Sequence, residues 1–244
     1  MKVWKIILIS LGIMLMVGYL VWSVVYLHLH RQTDVCKKVA VHLHISNDGQ
    51  CLTEDDILRF LNRERLNPIG KTGSDVLLGK IEATIAKLPA IRHVSCYRTT
   101  AGDVAIEITP RTPVFKVMTG NNYLVDTERC IMPVSTSCPT WLPVVSGAVT
   151  KQMATHELYD FIVFLQKDRF LAAQIEQIYL LSNGDVELTP RVGNHIIRLG
   201  RLDDYADKLD KLKIFYTKAL NKIGWNRYAI IDLRYNGQVV CTKR

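Results

Sequence analysis

Apolar and polar positions change period several times along the chain, and each change marks an element. The first stretch has no polar face at all. Ile6 to Leu27, IILISLGIMLMVGYLVWSVVYL, runs 22 residues without a charge. As a helix rising about 1.5 Å per residue it spans roughly 33 Å, enough to cross a hydrocarbon core about 30 Å thick. Tyr19, Trp22 and Tyr26 gather toward one end, where an aromatic belt lies. A cleaved signal peptide would carry an apolar region of about 7–15 residues and then a small-residue cleavage site, and HLHRQTD supplies none. The pattern predicts an uncleaved signal anchor over 6–27, a tail over 1–5 and a juxtamembrane linker over 28–34.

From Val35 the period drops to two. In VCKKVAVHLHI, Val39, Val41, Leu43 and Ile45 share one face and Lys38, His42 and His44 the other, as in a half-buried strand. LTEDDILRFLNRE takes helical spacing through Ile57, Phe60 and Leu61, with Thr53 as N-cap and Asp56 three residues on. After NPIGKTG, Ser74 is expected to cap a second helix with Val76, Leu77, Ile81, Ile85 and Leu88 as its stripe. IRHVSCYRT and DVAIEIT read as strands joined by TAG, with Val104, Ile106 and Ile108 on one face. The order β-α-α-β-β over 35–113 predicts two helices on one face of a three-stranded sheet. Pro110 and Pro113 close this unit, because neither can donate to a central ladder.

Residues 114–244 are richer in strands. VFKVM opens the region, YLVDTERCIMPV predicts a hairpin around Asp126–Arg129, and PTWLPVVSG is a proline-studded crossing. THELYDFIVFLQKD predicts a helix capped by Thr155 with Leu158, Phe161, Ile162 and Leu165 inward. IEQIYLLSNGDVELTP is a second hairpin turning at Asn183–Gly184, and NHIIRLG is a further strand. DDYADKLDKLKIFYTKALNKIG is a long helix, with Asp203 or Asp204 at its start, Tyr205, Leu209, Leu212, Tyr216, Leu220 and Ile223 inward, and Gly224 past its end. Tyr228–Arg244, YAIIDLRYNGQVVCTKR, closes the chain as an apolar, β-branched stretch, and Asn236–Gly237 taken alone is a hairpin turn. The fold class is α+β: one N-terminal transmembrane helix, a compact β-α-α-β-β unit, then a β-rich domain over 114–244 with an open mixed sheet flanked by helices.

Composition, 48% hydrophobic and 22% charged, is ordinary for a globular protein. Charge adds more. Of the net +8, Lys2 and Lys5 precede the apolar stretch, so the body beyond residue 27 carries +6. That modest basic excess suits anionic lipid or wall polymer rather than nucleic acid, for which no motif is present. Flanking charges favour neither orientation strongly, and the short tail is assigned to the cytoplasm. The six cysteines contain no C-x-x-C, so neither zinc nor redox catalysis is signalled. Cys130 and Cys138, across CIMPVSTSC, are the candidate local disulfide; the alternative keeps the cysteines as small buried hydrophobes.

Candidate chemistry is sparse. His42 and His44 project from one side of a strand but lack a third ligand, so they read as solvent-facing polar residues. His156 and Asp160 lie four apart on a helix and can pair. Asp55–Asp56 and Asp203–Asp204 sit at helix starts, where carboxylates suit the positive dipole end. There is no G-x-S-x-G, phosphate loop or H-E-x-x-H. The reading is a non-enzyme with no catalytic residue, metal, cofactor or small-molecule substrate.

The order of parts resembles the FtsQ/DivIB family of bacterial cell-division proteins. KIEATIAKLPAIRHVSCYR, Lys80–Arg98, resembles the family's POTRA stretch, and GDVAIEITPRTPVFKV, Gly102–Val117, its strand ending in an Arg-x-Pro junction. YLVDTERCIMPV, Tyr123–Val134, is similar to the tyrosine–aspartate hairpin opening its second domain, although Glu128–Arg129 stand where many members have glycine. IDLRYNGQVV, Ile231–Val240, is similar to its final strand. The resemblance implies a non-enzymatic divisome scaffold, single-pass and type II in the inner membrane, with its bulk in the periplasm and enriched at the septum. It implies FtsB and FtsL as partners, with a partner strand added beside the last strand at Arg234, Tyr235, Gly237, Val239 and Cys241. It also turns Asn236–Gly237 into a bulge within one continuous strand, with Val239 and Cys241 on the side of Tyr235, and that version is preferred here. Alternative readings are a POTRA-containing component of outer-membrane protein insertion or secretion, and an anchored envelope enzyme; no run of such units and no barrel of alternating strands supports the former.

Overall fold

The structure, a computed structural model, describes residues 2–33, 35–44, 51–73, 75–135, 138 and 141–244. It divides into two compact units, Met1–His44 with Thr53–Thr109 and Ile45–Leu52 with Pro110–Arg244.

The first unit opens with helix α1, Lys2–Thr33. Its side chains are described at Trp4 and over 10–26, and nearly all of these are exposed. Among the described residues, no helix is long and apolar enough to cross a membrane. The anchor predicted over 6–27 therefore lies partly outside the described side chains. Strands β1 (Val39–Leu43), β2 (Ile91–Arg98) and β3 (Val104–Pro110) form a sheet in the order β1-β3-β2, with β1 and β3 parallel. The core of this unit is Val41, Ile57, Leu61, Ile81, Ile85, Val94, Val104, Ile106 and Ile108, all buried.

Helix α2 (Glu54–Arg63) starts as its sequence dictates. Asp56 N–H donates to the Thr53 hydroxyl, and the Asp56 carboxylate accepts from Thr53 N–H, closing the capping box. Hydrogen bonds from Thr53 hold the Asp56 carboxyl below the usual carboxylate range, although burial opposes them. Helix α3 (Leu78–Ile85) departs from prediction. Ser74, the expected cap, lies outside the described residues, and the helix begins only at Leu78, leaving Leu77 exposed. A turn in which Thr72 donates its hydroxyl to Asp75, and Asp75 its N–H to Thr72 O, precedes it. Such local side-chain bonds compete with the helical ladder.

The second unit is a nine-stranded mixed sheet with the order β12-β11-β10-β9-β8-β7-β4-β5-β6. Its strands are β4 (Pro113–Met118), β5 (Tyr123–Asp126), β6 (Ile131–Pro133), β7 (Val144–Gly147), β8 (Ile175–Leu180), β9 (Val186–Pro190), β10 (Ile196–Gly200), β11 (Tyr228–Asp232) and β12 (Val240–Lys243). Its helices are α4 (Lys151–Thr155), α5 (Glu157–Lys167), α6 (Arg169–Gln174), α7 (Tyr205–Phe215) and the single turn α8 (Asn221–Ile223), with a π-helical turn, Tyr216–Leu220, between the last two. The parallel pairs are β4–β7, β7–β8 and β10–β11, and helices supply the last two crossovers. Phe115, Val117, Val145, Ile178, Leu180, Val186, Leu188, Ile197, Leu199, Ile231 and Leu233 form one core with Leu158, Phe161, Ile162 and Leu165 of α5 and Leu209 and Leu212 of α7.

Three details differ from the sequence expectation. Thr150, not Thr155, is the cap in this region, accepting from Met153 N–H. Thr155 ends α4 and donates back to Lys151 O and Gln152 O, so the helical pattern is split in two. His156 does not pair with Asp160, whose carboxylate is taken by Arg129 at 2.6 Å. At the end of the long helix Ile223 is exposed rather than inward.

Candidate partner-binding edge

The last seventeen residues form a hairpin, not one bulged strand. β11 and β12 pair antiparallel, Asp232 opposite Val240 and Ile231 opposite Cys241. Gly237, at φ 72, turns the chain between them. The doubling back has a physical cause. β11 already has a parallel neighbour in β10, and the remaining apolar residues Val239 and Cys241 pack against the same core only if the chain reverses. Folding back also moves the free edge of the sheet from β11 to β12.

β12 pairs with β11 alone, and its outer flank has no neighbour among the described residues. Arg244 N–H donates inward to Arg227 O at 3.3 Å. By strand alternation Cys241 and Lys243 then direct their main-chain groups outward. The edge therefore offers two donors and two acceptors in the geometry of a ladder.

The predicted contact residues separate on this frame. Tyr235 is 48% exposed, and its carbonyl accepts from Lys211 Nζ at 2.9 Å. Gly237 is exposed in the loop. Val239 and Cys241 face the core rather than lying with Tyr235, and burial pushes the Cys241 thiol up. On the opposite face of β12, Val240 is 41% exposed and Thr242 is exposed. A strict alternation counted through the loop misassigns these faces, because the loop resets the parity.

Arg234 is not idle. Its Nε donates to Asp232 Oδ1 at 3.0 Å and its Nη2 to Asp232 Oδ2 at 2.6 Å, while its backbone N–H donates to Oδ1 at 3.1 Å. Burial works to raise the Asp232 carboxyl, but the Arg234 side-chain and backbone bonds hold it below the usual range. The same bonds raise the guanidinium further above its ordinary value. The side chain lies across Gly200 of β10, where an added Cβ would stand 2.8 Å from Arg234 Cγ at a φ of +78. The fork expected for a partner carboxylate is thus engaged at home, with Nη1 4.0 Å from Asp185. The pairing partner stands two residues before Arg234 in the same segment, a spacing at which a tight turn brings the two side chains together.

The hairpin at Asp126–Arg129 is the second polar centre. Asp126 is 1% exposed and accepts from Arg111 Nη1 at 2.7 Å, from Glu128 N–H at 2.9 Å and from Cys130 N–H at 2.6 Å. Arg111 also reaches Glu128 Oε2 at 2.9 Å. Hydrogen bonding to Asp126 raises its guanidinium against the effect of burial. The turn that lacks glycine puts Arg129 at φ +64. Its side chain holds that conformation through Asp160, through Thr155 O at 3.2 Å and by lying 4.4 Å above the Tyr159 ring. Tyr159 in turn donates its hydroxyl to Thr127 O at 2.9 Å. Ligand atoms of Asp126, Glu128 and Cys130 lie within 4.8 Å of one another, but Arg111 already supplies the positive charge there.

The local disulfide between Cys130 and Cys138 does not form. Cys138 bonds Cys51, 87 residues earlier, and Cys130 is free and exposed. The Cys130 N–H belongs to the Asp126 turn, which holds this residue in the hairpin, and Cys51 and Cys138 meet within the same compact unit. Short separation in sequence was the wrong guide.

Along the chain a three-stranded β-α-α-β-β unit is followed by an open nine-stranded mixed sheet. Residues 34–109 match a POTRA-like domain, and residues 112–242 match the family described as FtsQ/DivIB, C-terminal related. No curated protein matches the chain. The second match covers more than half of the sequence, so the chain belongs to the FtsQ/DivIB family, cell-division proteins of the divisome.

Proposed function

We propose that the protein is a non-enzymatic, membrane-anchored scaffold that recruits FtsB and FtsL to the septum by accepting a strand beside β12. The single observation that carries this reading is the outer flank of β12, unpaired among the described residues. An added strand gains main-chain hydrogen bonds there, while exposed side chains select its register. Tyr235, Val240 and Thr242 stand beside that edge, and Arg234 serves by sharing or releasing Asp232. Gly237 shapes the loop, and Val239 and Cys241 support the edge from the core side. The uncharged stretch 6–27 supports an inner-membrane anchor of type II, with 28–244 in the periplasm, 35–113 as the POTRA domain and 114–244 as the partner-binding domain.

The test is capture of FtsB from membrane-extracted protein. Lys243→Pro removes an outward donor while keeping the β11–β12 pairs, because proline is tolerated where an edge N–H faces solvent. Capture should fall at least tenfold. Ending the chain after Val239 should abolish it with the POTRA-like unit still folded. Tyr235→Ala should cost about 2 kcal/mol if the ring is a hot spot. Full capture by the Lys243→Pro and truncated chains would sink the edge-strand reading.

A further inference from the structure

A cleft of about 830 Å³ opens in the second unit between α5, α6 and the starts of β4, β7 and β8. β9, β10 and β11 separate its strands from β12 in the sheet. Val114, Ile162 and Leu165 are buried in its wall, and Trp141, 58% exposed, lines it with its ring largely in solvent. This volume falls within the range of about 300–1,000 Å³ typical of ligand sites.

Charge says what the cleft takes. Arg169, the first residue of α6, and Arg191, just beyond β9, both line it. Both are exposed, and neither has an ion-pair partner among the described residues. The frame behind them is set. Asp168 caps α6 through Phe170 N–H and Leu171 N–H, and its carboxyl is held low, first by Lys213 at 2.5 Å. The buried side-chain amide of Gln174 donates to Val192 O at 3.0 Å, and the main-chain carbonyl of Gln174 accepts from Arg191 N–H at 2.6 Å. Two guanidiniums on separate elements, over an apolar wall, match a ligand with two carboxylates and apolar groups between them.

We propose that this cleft is a second docking site, for an acidic apolar peptide segment of a partner protein, independent of strand addition at β12. A single-headed anionic lipid offers the two arginines one headgroup to share, whereas a peptide with spaced carboxylates offers each its own. Arg169 and Arg191 outnumber the single carboxylate of Glu176 on the lining, so like-charge contact with the two arginines disfavours a basic segment.

The test uses the full chain in nanodiscs of zwitterionic lipid and a fluorescein-labelled dodecapeptide of repeating glutamate, leucine and phenylalanine, read by anisotropy. Saturable binding is expected, weakening as salt rises. Arg169→Glu with Arg191→Glu should weaken it at least tenfold and create binding of the same peptide with lysine for glutamate. Ala173→Trp, which fills the cleft without changing charge, should also weaken the glutamate peptide at least tenfold while FtsB capture at β12 stays unchanged. Failure of the peptide to saturate, binding insensitive to both variants, or full displacement by dodecanoate or phosphatidylglycerol vesicles would overturn the proposal.

Discussion

Removing the Arg111–Asp126 pair tests whether this buried contact holds the hairpin that opens the second unit. The Asp126 side chain is 1% exposed and that of Arg111 20%. Arg111→Met strips the cation and leaves a buried carboxylate with two backbone N–H donors. Unpaired buried charges cost about 3–5 kcal/mol, and the retained donors put this variant near about 3. Asp126→Asn can still accept from Glu128 and Cys130 N–H, and Arg111 keeps Glu128, so the loss is about 1–2 kcal/mol. The double variant has no stranded charge. It should be no worse than Arg111→Met alone, a coupling of about 1–2 kcal/mol. Urea unfolding of the full chain in detergent, followed by tryptophan fluorescence, reads this unit through Trp141 and Trp225. Single-variant losses below about 0.5 kcal/mol, or losses that simply add, would refute the reasoning.

Other consequences are open to measurement. Arg129→Ala keeps a positive φ that costs about 1 kcal/mol for a non-glycine residue and loses the Asp160 and Tyr159 contacts, whereas Arg129→Gly loses the contacts but removes the strain. Thermal melting should therefore rank Arg129→Gly above Arg129→Ala, and the reverse order would count against a strained turn. His195 is 3% exposed, with Nε2 2.6 Å from the Tyr216 hydroxyl and Nδ1 without a well-formed hydrogen bond among the described residues. Burial pushes its pKa below the ordinary 6.5, and the charge of Arg244 adds to this against an opposing backbone contact from Trp225. The folded chain refuses a proton that the unfolded chain accepts, so this contribution to stability is full above about pH 6.5 and lost as pH falls below it. His195→Asn should flatten the urea midpoint between pH 7 and pH 5, and an undiminished slope would exclude His195 as its source. Mass spectrometry of a non-reduced digest should find Cys51 linked to Cys138 and Cys130 alkylated; a Cys130–Cys138 peptide would reverse the assignment.

Much of the fold was legible because short-range interactions decide it. The Thr53–Asp56 capping box, the β-α-α-β-β order and the buried stripe of α5 follow from side chains a few residues apart. The Thr155 cap failed because a helical turn starts earlier, at Lys151 capped by Thr150, which leaves Thr155 at the end of that turn with its hydroxyl donating back to Lys151 O and Gln152 O.

What the sequence by itself determined is most of the elements, the apolar faces of the longer ones and the family to which their order belongs. Tertiary structure alone decided which strands are neighbours, and with that which edge stays open. Asn236–Gly237 is compatible with a bulge or a hairpin, and the choice falls to a core shared with β10 that rewards turning Val239 and Cys241 inward. The engagement of Arg234 by Asp232 over Gly200, and the bond from Cys138 to Cys51, depend likewise on where distant segments meet. Periodicity fixes which side of an element is apolar, but it carries no information about what lies against that side.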